Sequence, residues 1–432
     1  MNCVRNYRKE VRRAIPRVWM AMLVVGLVSG AATAKADDIV LRWNQIAAQT
    51  ATATNPFNQA RIGAIVQLAV FEAVNAVTPE YEAYLTPPTV APPGTSVEAA
   101  VITAAHNVLT TYFPSAAVAL DAARDIDLGS IPNGAAKTNG IAVGTAAANA
   151  MIALRAADGS SPLTTIIPTS TLAGDYQLTT GCTAAMFYNW QNITPFGIPN
   201  VSGFLLDPPP YLTSNRYAKD YVEVETVGSA TSVARPLDRE EVARLYAISS
   251  PSFVLSMATR QIATAKGTRL AENARALALI HMGISDALVA SFMNKYHYNR
   301  WRPETGIRNG ATDGNDKTDD NPGFTTFITT PCFPSYPSNH ASGTNGGLEV
   351  MRRLFGAAGF DITITNSVPA LGALPATIIT KRYSQLNEIA DDVDDARVYG
   401  GIHWRSDQDA GNVLGRAVAT EVVKTHLRPV HP

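Results

Sequence analysis

Apolar residues recur at three- and four-residue spacing through much of this chain, most strongly from Leu270 to about Asn299. That period is the helical one. The same pattern runs from Asp37 to about Val77, opened by Ile39, Leu41, Trp43 and Ile46 and continued by ARIGAIVQLAVFEAVNAV (60–77). It returns at Asp238–Ala247, Ser250–Ala265, Ala341–Phe355, Ser384–Val398 and Ser406–His426, where Gly415 interrupts an apolar stripe. Ser96 can cap a helix over Val97–Phe113, with Glu98 favouring the dipole in its first turn. Gly134–Ala157 is rich in small residues and suits a helix packed closely on its neighbours. Alternation of period two is scarce and no internal repeat is found. The expectation is an all-α helical bundle. PPTVAPPGTS (87–96) is a proline-rich loop, and 159–232, dense in Pro, Gly, Thr and aromatics, reads as long loops wrapped over the bundle.

The N-terminus asks for a separate account. MNCVRNYRKEVRRAIPR is basic, Val18 to Thr33 is apolar, and Ala32-Thr-Ala34 or Ala34-Lys-Ala36 offers a small-residue cleavage site. Residues 1–36 therefore read as a secretory signal peptide, preferred over an uncleaved anchor because of that small-residue exit, and the expected location is secreted or periplasmic. The Arg12-Arg13 pair fits a twin-arginine signal poorly. Cleavage would remove seven cations and one anion and move the formal charge from −1 to −7. A mildly acidic chain with no basic run argues against nucleic acid as a partner. No further apolar run approaches the ~18–20 residues of a membrane span, so no membrane is expected after cleavage. With 432 residues, 46% hydrophobic and 16% charged, the chain can bury a large core. We divide it into residues 37–232, a helical half with loops, and 233–432, which carries the chemistry below. Cys3 leaves with the signal, and Cys182 and Cys332 could form one disulfide in an oxidising compartment.

Three segments hold the polar residues. In KYHYNRWRP, Lys295 and Arg302 are seven apart, two helical turns, which would place them on one face about 10 Å apart along the axis. Pro303 should end that helix near Arg302. Alone, such a pair is more often a surface cationic face. SYPSNHASG (335–343) contains Pro337-Ser338-Asn339-His340, suited to a turn or helix start whose backbone amides could face an anion. Ser338 offers a hydroxyl, and His340 could transfer a proton. Taken singly, His340 would more often be structural. In RVYGGIHWRSD, Asp407 follows His403 by one helical turn, so its carboxylate can accept from Nδ1 and leave Nε2 free. Gly400-Gly401 permits a bend, and Arg397 supplies a rigid fork of donors. Each motif is weak by itself. Together, in order, within the 113 residues from Lys295 to Asp407, they describe a pocket for a tetrahedral oxyanion.

The series K-x6-R-P, P-S-x-H, R-x5-H-x3-D resembles the signature of the vanadium-dependent haloperoxidases, shared with the phosphatidic-acid-phosphatase type 2 acid phosphatases. The wider context (KYHYNRWRPETGIR, PSYPSNHASG, RVYGGIHWRSDQDAGNVLG) is closer to the haloperoxidase branch, and similarity extends upstream through VLRWNQ, QARIGAIVQLAVFEAVNAV and AKTNGIAVGTAAANAMIALRAADGS. The resemblance implies a helical bundle of the haloperoxidase type with vanadate in a pocket, a site that phosphate can also fill. It implies that His403 bonds the vanadium, or becomes a phosphohistidine in a phosphatase. Lys295, Arg302 and Arg397 would hold the oxyanion with Ser338 and the amide of Asn339, His340 would be the acid–base residue, and Asp407 would orient His403. Substrates would be hydrogen peroxide, halide and an organic acceptor. Two departures stand out. Asn339 replaces the family's glycine, tolerable if αL geometry is needed, and Ala396 replaces a serine. Phe333 occupies a position associated with halide preference and resembles the chloroperoxidase type.

Three readings follow: a secreted haloperoxidase, a phosphatase on the same scaffold, and a degenerate non-catalytic member. Weaker candidates are His281, which could approach the pocket but is better explained by core packing, and Asp286, which suits a partner on a neighbouring helix. Trp301 and Trp404 read as core or cavity wall, His297 as surface, and His426 and His431 as tail. The acidic loop 313–322 departs from an EF-hand order and reads as solvated.

Overall fold

A computed structural model describes residues 38–430; the expected signal peptide, Cys3 and His431 lie outside the described residues. The first half contains α1 (Ile39–Thr50), α2 (Pro56–Val77), α3 (Val97–Tyr112), α4 (Ala117–Gly129) and α5 (Ala135–Arg155). The first half ends with α6 (Asn215–Gly228), and the second contains α7 (Leu237–Ile248), α8 (Pro251–Lys266), α9 (Leu270–Tyr298), α10 (Pro303–Arg308) and α11 (Asn339–Phe355). A hairpin of β1 (Ala358–Val368) and β2 (Thr377–Gln385) precedes α12 (Leu386–Tyr399) and α13 (Arg405–Thr425). The chain is mostly helical, as its periodicity requires.

Helix starts follow local chemistry. Asp38 accepts from the amides of Val40 and Leu41, and Ser96 accepts from Ala99. Asn55 caps α2 ahead of Pro56, splitting the run that began at Asp37 into two helices. α9 is the axis of the bundle and packs on α2, α11 and α13. Every residue from Ala276 to Phe292 is buried, so this stretch of the helix turns no face to solvent. α2 and α9 are long and apolar enough to cross a membrane, which corrects the expectation that no such stretch exists. Their most apolar windows are 83% and 94% buried within the protein, the signature of core helices.

Close packing of α9 against α11 fixes the depth of the site. A Cβ on Gly346 would stand 2.4 Å from the Gly283 carbonyl oxygen, and one on Gly283 would stand 2.5 Å from that of Gly346. Gly346→Ala should therefore destabilise the fold by ~1–3 kcal/mol despite alanine's better helix propensity. Urea unfolding checks the sign; a stabilised variant would mean that the two backbones part easily.

Two elements depart from the sequence reading. α6 lies inside the segment expected to be loop, with Ser214 as its cap and Tyr217, Tyr221 and Val224 buried at helical spacing. Those tyrosines pack with Trp301 and Trp404, which are core residues. The hairpin pairs Ile362 with Tyr383 and Ile364 with Lys381, with Ile362, Ile364, Ile379 and Tyr383 buried. The alternation of Ile362 and Ile364 was its sequence signal. A disulfide joins Cys182 to Cys332.

Candidate active site

The first motif comes together by a different route from helical periodicity. α9 stops at Tyr298, where Asn299 adopts a left-handed conformation (φ 47°), and Arg302 is the N-cap of α10 with Pro303 at its first position. Between them Arg300 bridges to Asp175, with hydrogen bonds from Tyr176 to Asn299 and from Trp301 to Gly174. Arg302 is therefore folded back toward Lys295 rather than stacked above it on one helix. Lys295 is fully buried, and its ammonium donates to the carbonyls of Pro334 (3.0 Å), Ser335 (2.7 Å) and Pro337 (2.5 Å). All three of its donors are thus occupied. Burial, and then Arg302, hold its pKa well below the ordinary lysine value.

Ser338 caps α11. Its hydroxyl accepts from the Ala341 amide at 3.3 Å, and its own amide donates to the Asp407 carbonyl at 2.9 Å. Asn339 begins the helix and so sits in helical, not left-handed, backbone; the concern about αL tolerance does not arise. Its side-chain oxygen accepts from Ser291 at 2.7 Å, while its Nδ2 is buried without a hydrogen bond. His340 is half-buried and lines the cavity. Burial, then Arg397, Lys295 and Arg302, hold its pKa well below that of a free histidine, which favours the neutral ring.

The third motif supplies the centre. Gly401 takes φ 81°, and a Cβ there would lie 2.2 Å from the Gly228 carbonyl oxygen, so the bend into His403 requires glycine. Arg302 Nη1 lies 2.9 Å from His403 Nε2. Arginine only donates, so Nε2 accepts and Nδ1 carries the proton, which it gives to Asp407 Oδ2 at 2.8 Å. Asp407 Oδ2 also accepts from Ser335 Oγ (2.5 Å) and the Trp404 amide (3.1 Å). Ser335 is a positioning residue that the motif reading missed, although it opens the SYPSNHASG stretch. Burial pushes Asp407 up to about 6. Arg397 donates to the Tyr246 carbonyl at 3.0 Å, one of the open carbonyls at the end of α7.

Lys295, Arg302 and Arg397 are buried together, and Asp407 is the carboxylate acting on Lys295 and Arg302. Burial pushes Arg302 down to about 10; burial and Arg302 push Arg397 down to about 9. Arg302 Nη2, Arg397 Nε and Asn339 Nδ2 are buried donors without partners. Excess positive charge and idle donors around a histidine lone pair fit an oxyanion such as vanadate or phosphate. Phe333 forms the wall beside it, with its ring 5.4 Å from the Lys295 ammonium and 5.0 Å from the Arg302 guanidinium.

The remaining candidates separate from this site. His281 hydrogen-bonds Ser256 at 3.0 Å in the core. Burial pushes its pKa down to about 4 from 6.5. As pH falls through that window the unfolded chain binds the proton first, so this residue costs about 3 kcal/mol of stability between pH 6.5 and 4. Urea unfolding of His281→Asn should show that much less acid sensitivity than the native chain; equal sensitivity would refute it. Asp286 accepts from the amides of Phe196, Gly197 and Ile198, so its partner is a loop backbone and not a neighbouring helix. His297 is exposed. Asp313 is turned inward to the Thr318 hydroxyl and the Asn315 amide, and no group of three metal-ligating side chains occurs among the described residues.

Residues 275–432 match the family model of the VCPO second helical-bundle domain, a span that includes every motif residue. The structure resembles a bacterial vanadium-dependent iodoperoxidase at TM-score 0.74 and 20% identity, over 91% of this chain and 98% of that one. It also resembles a bacterial vanadium-dependent chloroperoxidase at TM-score 0.69 and 15% identity. In its apo form 84% of this chain and 92% of that one are covered, and in its holo form 88% and 95%. No curated protein matches the chain by sequence. The chain therefore has the fold of the solved bacterial vanadium-dependent haloperoxidases, and its residues 275–432 carry the VCPO second helical-bundle domain.

Proposed function

We propose that the protein is a vanadate-dependent haloperoxidase. One observation carries this reading: three buried cations act on His403, whose Nε2 lone pair faces the Arg302 guanidinium, and Arg302 Nη2 and Arg397 Nε have no partner. Vanadate would be held by His403 Nε2 and by Arg302 and Arg397, with Ser338 and the Asn339 amide at the start of α11. Lys295 would contribute mainly its charge, since its donors are held by carbonyls. When bound, vanadate supplies a Lewis-acidic centre at which hydrogen peroxide is activated for two-electron oxidation of halide. The net change is halide, peroxide and one proton to hypohalous acid and water. Asp407 keeps the proton on His403 Nδ1 and so keeps Nε2 available, while His340 takes up a proton from the incoming peroxide. The resemblance to iodo- and chloroperoxidases favours this chemistry over phosphoryl transfer. We also place the protein in the secreted or periplasmic space. The basic and apolar N-terminus supports this, as does the Cys182–Cys332 disulfide, which persists in oxidising compartments.

The test is bromide-dependent halogenation of a phenolic dye with peroxide, with and without orthovanadate, beside hydrolysis of p-nitrophenyl phosphate. Vanadate-dependent bromination is expected. Phosphate ester hydrolysis inhibited by vanadate, without bromination, would assign the phosphatase chemistry instead, and inactivity in both assays would mark a non-catalytic member.

A further inference from the structure

The cavity beside the three cations is far larger than halide and peroxide require. Its volume is about 540 Å³, within the range of pockets that enclose an organic molecule. One wall is aromatic, with Phe57, Phe187 and Phe333 in edge-to-face contact at 4.7–6.3 Å between ring centres. Its ionisable lining residues are Arg244, His340, Arg397 and His403, and no carboxylate lines it among the described residues.

Arg244 belongs to none of the motifs. It stands on α7, 7% exposed, on the cavity wall. Its Nη2 donates to the carbonyls of Pro369 (3.0 Å) and Pro375 (2.6 Å) in the turn of the hairpin, which fixes the guanidinium plane. Its Nε is buried without a hydrogen-bond partner. A guanidinium held rigid, with an idle donor, in an apolar wall free of carboxylates lacks an acceptor and a counter-charge.

We infer that this cavity binds the organic acceptor itself, and that Arg244 selects acceptors carrying a carboxylate on an aromatic body. The halogenation of that acceptor rests on the proposed function; its binding does not. One acceptor C–H, one halide, one hydrogen peroxide and one proton give the C–halogen product and two waters. The halide gives up two electrons, the peroxide O–O bond accepts them and breaks, and the acceptor's proton leaves to solvent.

The experiment measures binding of 4-hydroxybenzoate and of its methyl ester by ligand-observed NMR, with orthovanadate present so that the inner cations are engaged. The acid should bind saturably and at least tenfold more tightly than the ester. Arg244→Met should weaken the acid about tenfold and leave the ester within threefold. Equal affinity of acid and ester for the native protein overturns the inference, and this comparison stands even if Arg244→Met fails to fold. Unchanged affinity of the acid in a folded Arg244→Met overturns it too. Oxidation of iodide to triiodide without any acceptor reports the catalytic reading separately. Triiodide without acid preference leaves the proposed function standing and removes this one; acid preference without triiodide does the reverse.

Discussion

His403→Ala should abolish vanadate-dependent bromination, by about a thousandfold or more, because it removes the lone pair around which the other groups are arranged. The fold should survive. Asp407 would keep the Ser335 hydroxyl and the Trp404 amide as donors, so its buried carboxylate is not left bare. Kinetics with added orthovanadate, alongside near-ultraviolet circular dichroism, separate loss of chemistry from loss of structure. Bromination at native rate in a folded His403→Ala would remove His403 from the site.

Arg397→Met should have opposite effects on stability and on binding. Arg397 makes one hydrogen bond, to the Tyr246 carbonyl, leaves Nε idle, and lies beside the like charge of Arg302. Replacing it with an apolar chain of similar length removes a buried charge that has no carboxylate of its own. Without oxyanion the variant should be as stable as the native protein, or more stable by ~1–3 kcal/mol. The native protein should gain about 2.7 kcal/mol from orthovanadate at a hundredfold excess over its Kd, and the variant should gain little at that concentration. Urea unfolding with and without orthovanadate gives both numbers. A variant markedly weaker in the absence of oxyanion would show that Arg397 is a structural prop of α7.

The parts of the site that were legible in sequence are those made by local rules. Ser338 starts a helix because serine caps, and His403 meets Asp407 because four residues make one turn. Lys295 and Arg302 do meet, but through the left-handed turn at Asn299, which a count of seven residues does not reveal. Ser335 and Arg244 were out of reach for a different reason. Their partners lie 72 residues away at Asp407 and 125 and 131 residues away at Pro369 and Pro375, so only the folded chain brings them together. The helix α6 was hidden by its Pro- and Thr-rich flanks. The hairpin was hidden because its alternation is brief and its outer positions, such as Thr363 and Thr365, are polar without being charged.

The disulfide gives the molecule a topological property. Cys182 and Cys332 are 150 residues apart, and the bond makes that stretch a closed covalent ring containing Lys295 and Arg302, while Ser338, Arg397 and His403 stay on the open tail. Cys332 adjoins Phe333, and its carbonyl accepts from Met186, so the ring closes at the cavity wall. A backbone break within the acidic turn at 313–322 would then open the ring without releasing a piece. For a protein proposed to work outside the cytoplasm and to generate oxidant beside its own wall, the segment bearing Lys295 and Arg302 would stay tethered after a cut in that turn.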